Sequence, residues 1–171
     1  MILGDDFFNR DTVAVARELI GTYLVRKSEA GAISSMITET EAYDGPEDLA
    51  CHGAKGRTSR TEVMFGPAGH WYVYFVYGMH NMLNIVTGPI WYPAAVLIRA
   101  TAAVAGPGRL TKHFSVDRSL NAKAAVVSSG LWIEDRGAMI SEAKISATPR
   151  IGIDYAGPIW SQKPWRFLLS N

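Results

Sequence analysis

The chain has little of several things that would settle its class at once. It carries one cysteine, Cys51, in 171 residues. That excludes an internal disulfide framework and fits a reducing compartment. No apolar run approaches the roughly 18–20 residues that cross a bilayer. The opening MILGDDFFNR lacks the basic-then-apolar order of a secretory signal. These absences predict a cytoplasmic protein with no membrane partner. Internal repeats, low-complexity tracts and long linkers are also missing, so residues 1–171 are expected to form a single domain with a sizeable core. Net charge is scarce too, at +1, but it is unevenly spread. Residues 1–50 hold four basic and ten acidic side chains, and residues 51–171 hold thirteen basic and six acidic ones. Such asymmetry permits a phosphate-binding face and requires nothing more.

What is present reads mainly as strands. Asp11–Ile20 predicts a helix, with Asn9 or Asp11 as cap, an apolar stripe of Val13, Ala16, Leu19 and Ile20, and Gly21 at its end. Thr22–Lys27 and Ala32–Tyr43 alternate as strands around the turn Ser28–Gly31. A turn-rich loop then runs from Asp44 to about Gly69, a length more often functional than not. Trp71–Thr87 predicts two strands turning at Gly78, and Ala94–Thr101 a further strand. Gly106-Pro-Gly108 opens a helix from Arg109 to about Phe114, and Asn121–Val127 reads as a second helical piece. Leu131–Glu134, Arg150–Tyr155 and Trp165–Leu169 complete the strands. The fold class expected is α+β with a largely antiparallel sheet.

The densest chemistry lies in TETEAYDGPEDLACH, Thr38–His52, which holds five carboxylates and a histidine. On a strand Ile37, Glu39, Glu41 and Tyr43 share one face, and Thr38, Thr40 and Ala42 share the other. Two glutamates about 7 Å apart on a buried face would make a candidate general base. On a wet face they would only solvate it. A metal reading would recruit Glu39, Glu41, Asp44, Glu47, Asp48 and His52, but no known ligand spacing is present. Asp44-Gly-Pro-Glu-Asp48 is ordinary turn chemistry, and Cys51 reads as a buried thiol. Trp71–Tyr77 packs five aromatics into seven residues. Most suit a core strand, but Tyr77 falls at the hairpin tip, placed to insert into a partner.

Taken together these stretches resemble a known family. Glu39-Thr-Glu-Ala-Tyr-Asp-Gly-Pro-Glu-Asp48 is followed by His52, Met64-Phe65, Tyr72-Val-Tyr74, Tyr77-Gly-Met79 and Asn84. Leu97-Ile-Arg99-Ala100, Gly106-Pro-Gly-Arg-Leu110, Arg150-Ile-Gly-Ile153 and Lys163-Pro-Trp-Arg-Phe167 continue the order. The series resembles the alkyladenine (3-methyladenine) DNA glycosylases over essentially the whole chain. The resemblance implies one domain on a curved antiparallel sheet, with a protruding hairpin that probes DNA. It implies a monomer acting on double-stranded DNA containing damaged purines, without metal, cofactor or lyase chemistry. By position, Glu41 is the expected general base and Arg99 the residue that helps place its water. Tyr43, His52, Tyr74 and Asn84 are expected to form the base pocket. Tyr77 would fill the vacated stack, and Met79 and His80 on the same hairpin would touch DNA. Lys55, Arg57, Arg60, Arg109, Lys112 and Arg118 are available for phosphates. Two rivals stay open: a protein that wedges DNA without cutting, and a metal-dependent nuclease.

Overall fold

A β-branched, alternating run produces the longest element, and the rest of the fold is arranged around it. In a computed structural model, which describes residues 1–170, strand β2 spans Gly31–Asp44. Its first half pairs antiparallel with β1 (Tyr23–Ser28) through the tight turn at Ser28–Gly31. Its second half pairs on one side with β5 (Ala94–Thr101) and on the other with β9 (Arg166–Leu169). Register shifts between Ile37 and Thr40 mark a bulge where the strand changes partners. A bulge bends its strand and adds twist, which suits the curled shape of this sheet.

The remaining strands extend both flanks. β3 (Trp71–Val76) and β4 (His80–Val86) form a hairpin that joins β5 through β4. Its turn sets Tyr77 at φ 55° and Gly78 at φ 63°. Two successive positive φ values give the turn that matches strand twist, at ease for glycine and uncommon for a tyrosine. β6 (Val104–Ala105) pairs with β5, β7 (Leu131–Glu134) with β1, and β8 (Ile145–Thr148) with β9. Among the described residues every ladder is antiparallel, and the sheet has nine strands. The helices are short: α1 (Asp5–Phe8), α2 (Thr12–Glu18), α3 (Pro107–His113) and α4 (Gly157–Trp160). The fold is the expected α+β architecture on an antiparallel sheet. Among the described residues no helix is long and apolar enough to cross a membrane.

Alternation sorts side chains to two faces. Val15 and Ala16 of α2, and Leu19 just beyond its end, pack with Leu83, Ile85, Val96, Ile98, Leu110 and Phe114 in the main core. The opposite face carries a smaller cluster of Cys51, Met64, Tyr72, Val86 and Ala95, with Tyr43 and Tyr74 against it. Ile37 belongs to the main core with Ala42, so it does not share a face with Glu39, Glu41 and Tyr43. The bulge is the reason, because one extra residue inverts the alternation on one side of it.

Two expected elements differ. The helix expected over Asn121–Val127 is absent; a 3₁₀ turn at Arg118–Leu120 precedes the segment, and only Val127 joins another, Val127–Ser129. In between, Ala124 bridges to His70, and the Asn121 side chain accepts from the Val73 amide at 3.0 Å. Arg150–Tyr155 is not a strand either. Ile145–Thr148 takes the sheet position, and the later residues turn away through a 3₁₀ segment, Asp154–Ala156. The expected α2 begins as predicted, with the Asp11 carboxylate accepting from the Ala14 amide at 2.8 Å.

Thr40 ties α2 to the strand that carries the acidic residues. Its buried hydroxyl donates to the Ala16 carbonyl at 2.7 Å. Thr40→Val keeps the shape and removes the donor, leaving a buried carbonyl unpaired. Denaturant unfolding should show stability reduced by about 1–3 kcal/mol with an unchanged m value.

Candidate active site

Glu41 sits on the most constrained strand of the sheet, with Leu97 of β5 on one side and Arg166 of β9 on the other. Its side chain is fully buried, so the face is not a wet one. Both carboxylate oxygens meet donors. Oε1 accepts from the Ile151 amide at 2.8 Å, and Oε2 accepts from the Tyr43 hydroxyl at 2.7 Å. Arg99 Nη1 lies 3.5 Å from Oε2. The neighbouring Glu39 is held differently: its Oε1 accepts from Arg99 Nε at 2.8 Å and from Arg166 Nε at 2.6 Å. Arginine charge therefore intervenes between the two glutamates, and Arg99 bridges them.

A cavity of about 340 Å³ opens in front of this group. Tyr43, His52, Tyr74, Asn84 and Arg99 all line it, and Tyr77 stands at its edge. His52 Nδ1 lies 3.1 Å from the Tyr72 hydroxyl, and its ring packs against Tyr74 with centroids 4.7 Å apart at 65°. Burial lowers the His52 pKa to about 4, helped by the positive charges of Arg60 and Lys55. At neutral pH the imidazole is therefore uncharged. Burial pushes the Tyr72 hydroxyl up to about 12 and raises Tyr74 above the ordinary phenol value. Tyr43 is raised well above it too, first by burial and then by the Glu41 charge. All three remain neutral hydroxyls, and Tyr43 acts as a donor. The Asn84 amide nitrogen donates to the Tyr72 carbonyl at 3.0 Å, which fixes the side chain against the cavity wall.

The structure thus gathers Glu41, Tyr43, His52, Tyr74, Asn84 and Arg99 around one space, with Glu41 immediately behind its wall. Tyr77 is 88% exposed and Met79 67% exposed at the hairpin tip. Met79 and His80 are not on the cavity; they line a separate surface hollow with Arg109 and Lys112 beside α3. His80 packs so closely under α3 that a Cβ at Gly108 would fall 2.8 Å from its ring. Sequence reasoning missed Tyr72, Met64 and Ile151–Ile153 as lining residues. Tyr72 was accessible through its i, i+2 relation to Tyr74 on a strand. Nothing local marks Ile151, which reaches the site through its backbone.

The other acidic residues disperse. Asp48 pairs with Arg150 rather than serving only its turn, and Asp44 accepts from the Tyr92 hydroxyl at 3.2 Å. Among the described residues no three His, Cys, Asp or Glu side chains gather to hold a metal. Cys51 is buried and donates to the Pro93 carbonyl at 3.4 Å, while burial pushes its thiol up to about 12.

The depressed His52 pKa has a consequence for stability. Below about 6.5 the unfolded chain takes up a proton that the folded His52 refuses until about 4. Folding stability should therefore fall as pH drops through that window, by at most about 3 kcal/mol from this group. Denaturant unfolding at pH 7 and pH 4.5 should show this loss, and His52→Gln should reduce the difference between the two pH values.

The full length of the chain has relatives. Residues 6–171 match the family described as methylpurine-DNA glycosylase (MPG). A protein of Methanocella arvoryzae is 45% identical over 190 residues, which cover 99% of this chain and 93% of that protein. One from Anaeromyxobacter sp. (strain Fw109-5) is 42% identical, covering 100% of this chain and 90% of that protein. A third, from Legionella pneumophila (strain Paris), is 41% identical, covering 96% and 92%. Each is named, as a provisional assignment, a 3-methyladenine DNA glycosylase. This chain belongs to the methylpurine-DNA glycosylase family, whose work is DNA glycosylase chemistry in base-excision repair.

Proposed function

We propose that this protein flips alkylated purines, 3-methyladenine and 7-methylguanine, out of duplex DNA and hydrolyses their N-glycosidic bond. The observation that carries this reading is a buried carboxylate directly behind a base-sized aromatic cavity, beside an exposed tyrosine on a hairpin tip. A base inside a duplex cannot be reached, so it must leave the stack, and something must fill the gap. Tyr77 is the side chain placed for that. The extruded base stacks against Tyr43 and Tyr74, with His52 in the wall. A positively charged purine gains cation–π attraction there and is already a good leaving group.

Glu41 acts as general base on a water held towards Arg99, and its charge favours the oxocarbenium-like sugar as the bond breaks. The proton passes to the carboxylate, and the bonding electron pair leaves with the purine. No lysine lines the cavity among the described residues, which supports water rather than an amine as nucleophile and a monofunctional enzyme. Asn84, held by its bond to the Tyr72 carbonyl, serves to crowd the 2-amino group of guanine. In this reading the protein acts on DNA as a monomer. Neutral lesions such as hypoxanthine or ethenoadenine need an added proton on the base, so their release should be the more pH-sensitive.

Base release from methylated duplex DNA tests the chemistry. Glu41→Gln should bind the substrate and lose at least roughly 100-fold in kcat, and the wild type should work undiminished in EDTA. Near wild-type release by Glu41→Gln would remove Glu41 as the base, and loss in EDTA would restore the metal reading. A second measurement addresses Tyr77→Ala. It should weaken lesion binding in duplex DNA more than in single strands, whereas equal losses would contradict a plugging role.

A further inference from the structure

We propose that the buried Asp48–Arg150 pair is a positioning device for the Glu41–Tyr43 unit, an inference that rests on the function proposed above. Both side chains are fully buried, and they meet in two parallel bonds, Nη1 to Oδ2 at 2.6 Å and Nη2 to Oδ1 at 2.9 Å. Buried ion pairs are weak sources of stability, because desolvation offsets much of their attraction. Arg150 Nε even lacks a partner among the described residues. A brace alone would be served as well by apolar packing, so the geometry asks what else the pair holds.

It holds the site from behind on four sides. Arg150 Nη1 also donates to the carbonyl of Ala42, the residue between Glu41 and Tyr43, at 2.8 Å. The guanidinium lies between two rings, 4.8 Å from the Tyr43 centroid and 5.1 Å from that of Trp165. Tyr43, which lines the cavity, is therefore backed by a rigid, planar charge. Asp48 accepts from the Asp44 amide at 3.0 Å and the Ala50 amide at 3.1 Å. That ties the end of β2 to the loop leading into His52. The peptide that follows Arg150 completes the frame, since the Ile151 amide donates to Glu41 Oε1. Neither Arg150 nor Asp48 lines the cavity, so they act through Tyr43, Ala50 and Ile151.

Arg150→Lys separates positioning from bracing. A lysine can meet the Asp48 charge, but it cannot stack as a plane or make both parallel bonds. Single-turnover release from methylated duplex DNA, counted per lesion-binding molecule, should fall about 100-fold, as for a misplacement near 1 Å. The Kd for the lesion duplex should stay within about threefold. Trp165→Leu removes the outer plate and keeps the ion pair, so it serves if the lysine variant does not fold. It should lose about tenfold in release, one order of magnitude being a partial misplacement on the same scale.

Amide hydrogen exchange gives a reading that needs no substrate. In either variant the Ile151 amide should exchange at least about tenfold faster relative to the Ile98 amide of the main core. If the wild type releases no purine, the proposed function fails, while exchange still decides whether Arg150 fixes the peptide on Glu41. Release within about threefold of wild type together with unchanged Ile151 exchange would overturn the proposal.

Discussion

A buried carboxylate on a central strand, held by residues that line an aromatic cavity, is the constraint around which this molecule is organised. Burying Glu41 costs free energy unless donors meet it. The fold supplies a hydroxyl from two residues along its own strand, a backbone amide from a distant loop and an arginine from the next strand. Each donor comes from a different part of the chain. The sheet must therefore close around β2 before the site exists. The bulge at Ile37–Thr40 makes this possible, because it lets one strand send Ile37 and Ala42 to the core and Glu41 to the opposite face.

Much of this was legible in the sequence, and the limits have physical causes. The placement of Glu41 and Tyr43 on one face follows from the two-residue period of a strand, and the structure keeps it. Ile37 escapes the same rule because a bulge is a defect in pairing, set by the partner strands rather than by local alternation. Helical readings fared similarly. Asp11 signals a cap by its own chemistry, and it caps. Asn121–Val127 has helix-compatible composition, but tertiary bonds from Trp71 and Val73 claim its backbone and side chains. The Ile151 contribution is a main-chain amide, which no residue type announces. Resemblance to a family supplied roles for Arg99, His52 and Asn84 that spacing alone left open.

The hairpin illustrates a different division. Aromatic density in Trp71–Tyr77 suggests a core strand, and alternation splits it. Trp71 and Val73 enter the main core, while Tyr72 and Tyr74 face the cavity. Tyr77 follows neither pattern because the turn places it, at positive φ, beyond the end of both faces. An aromatic in that conformation at an exposed tip gains little from packing within the chain.

Charge asymmetry along the chain takes on another meaning in three dimensions. The excess of acid in residues 1–50 and of base afterwards invites an anionic partner as its explanation. Yet Glu39, Glu41 and Asp48 from the acidic part are matched internally by Arg99, Arg150 and Arg166 from the basic part. Arg17 joins Glu142 in the opposite sense. A share of the asymmetry therefore records how the two parts of the chain fold against each other. Lys55, Arg60, Arg109, Lys112 and Arg118 form no ion pair among the described residues. Two of these, Lys55 and Arg60, already act on the site by helping to hold His52 neutral. Arg109 and Lys112 lie beside Met79 and His80 of the hairpin, so part of the unmatched positive charge flanks the cavity and the hairpin. A count of charges along the sequence therefore overstates how many are left for an outside partner, because the fold pairs several of them internally.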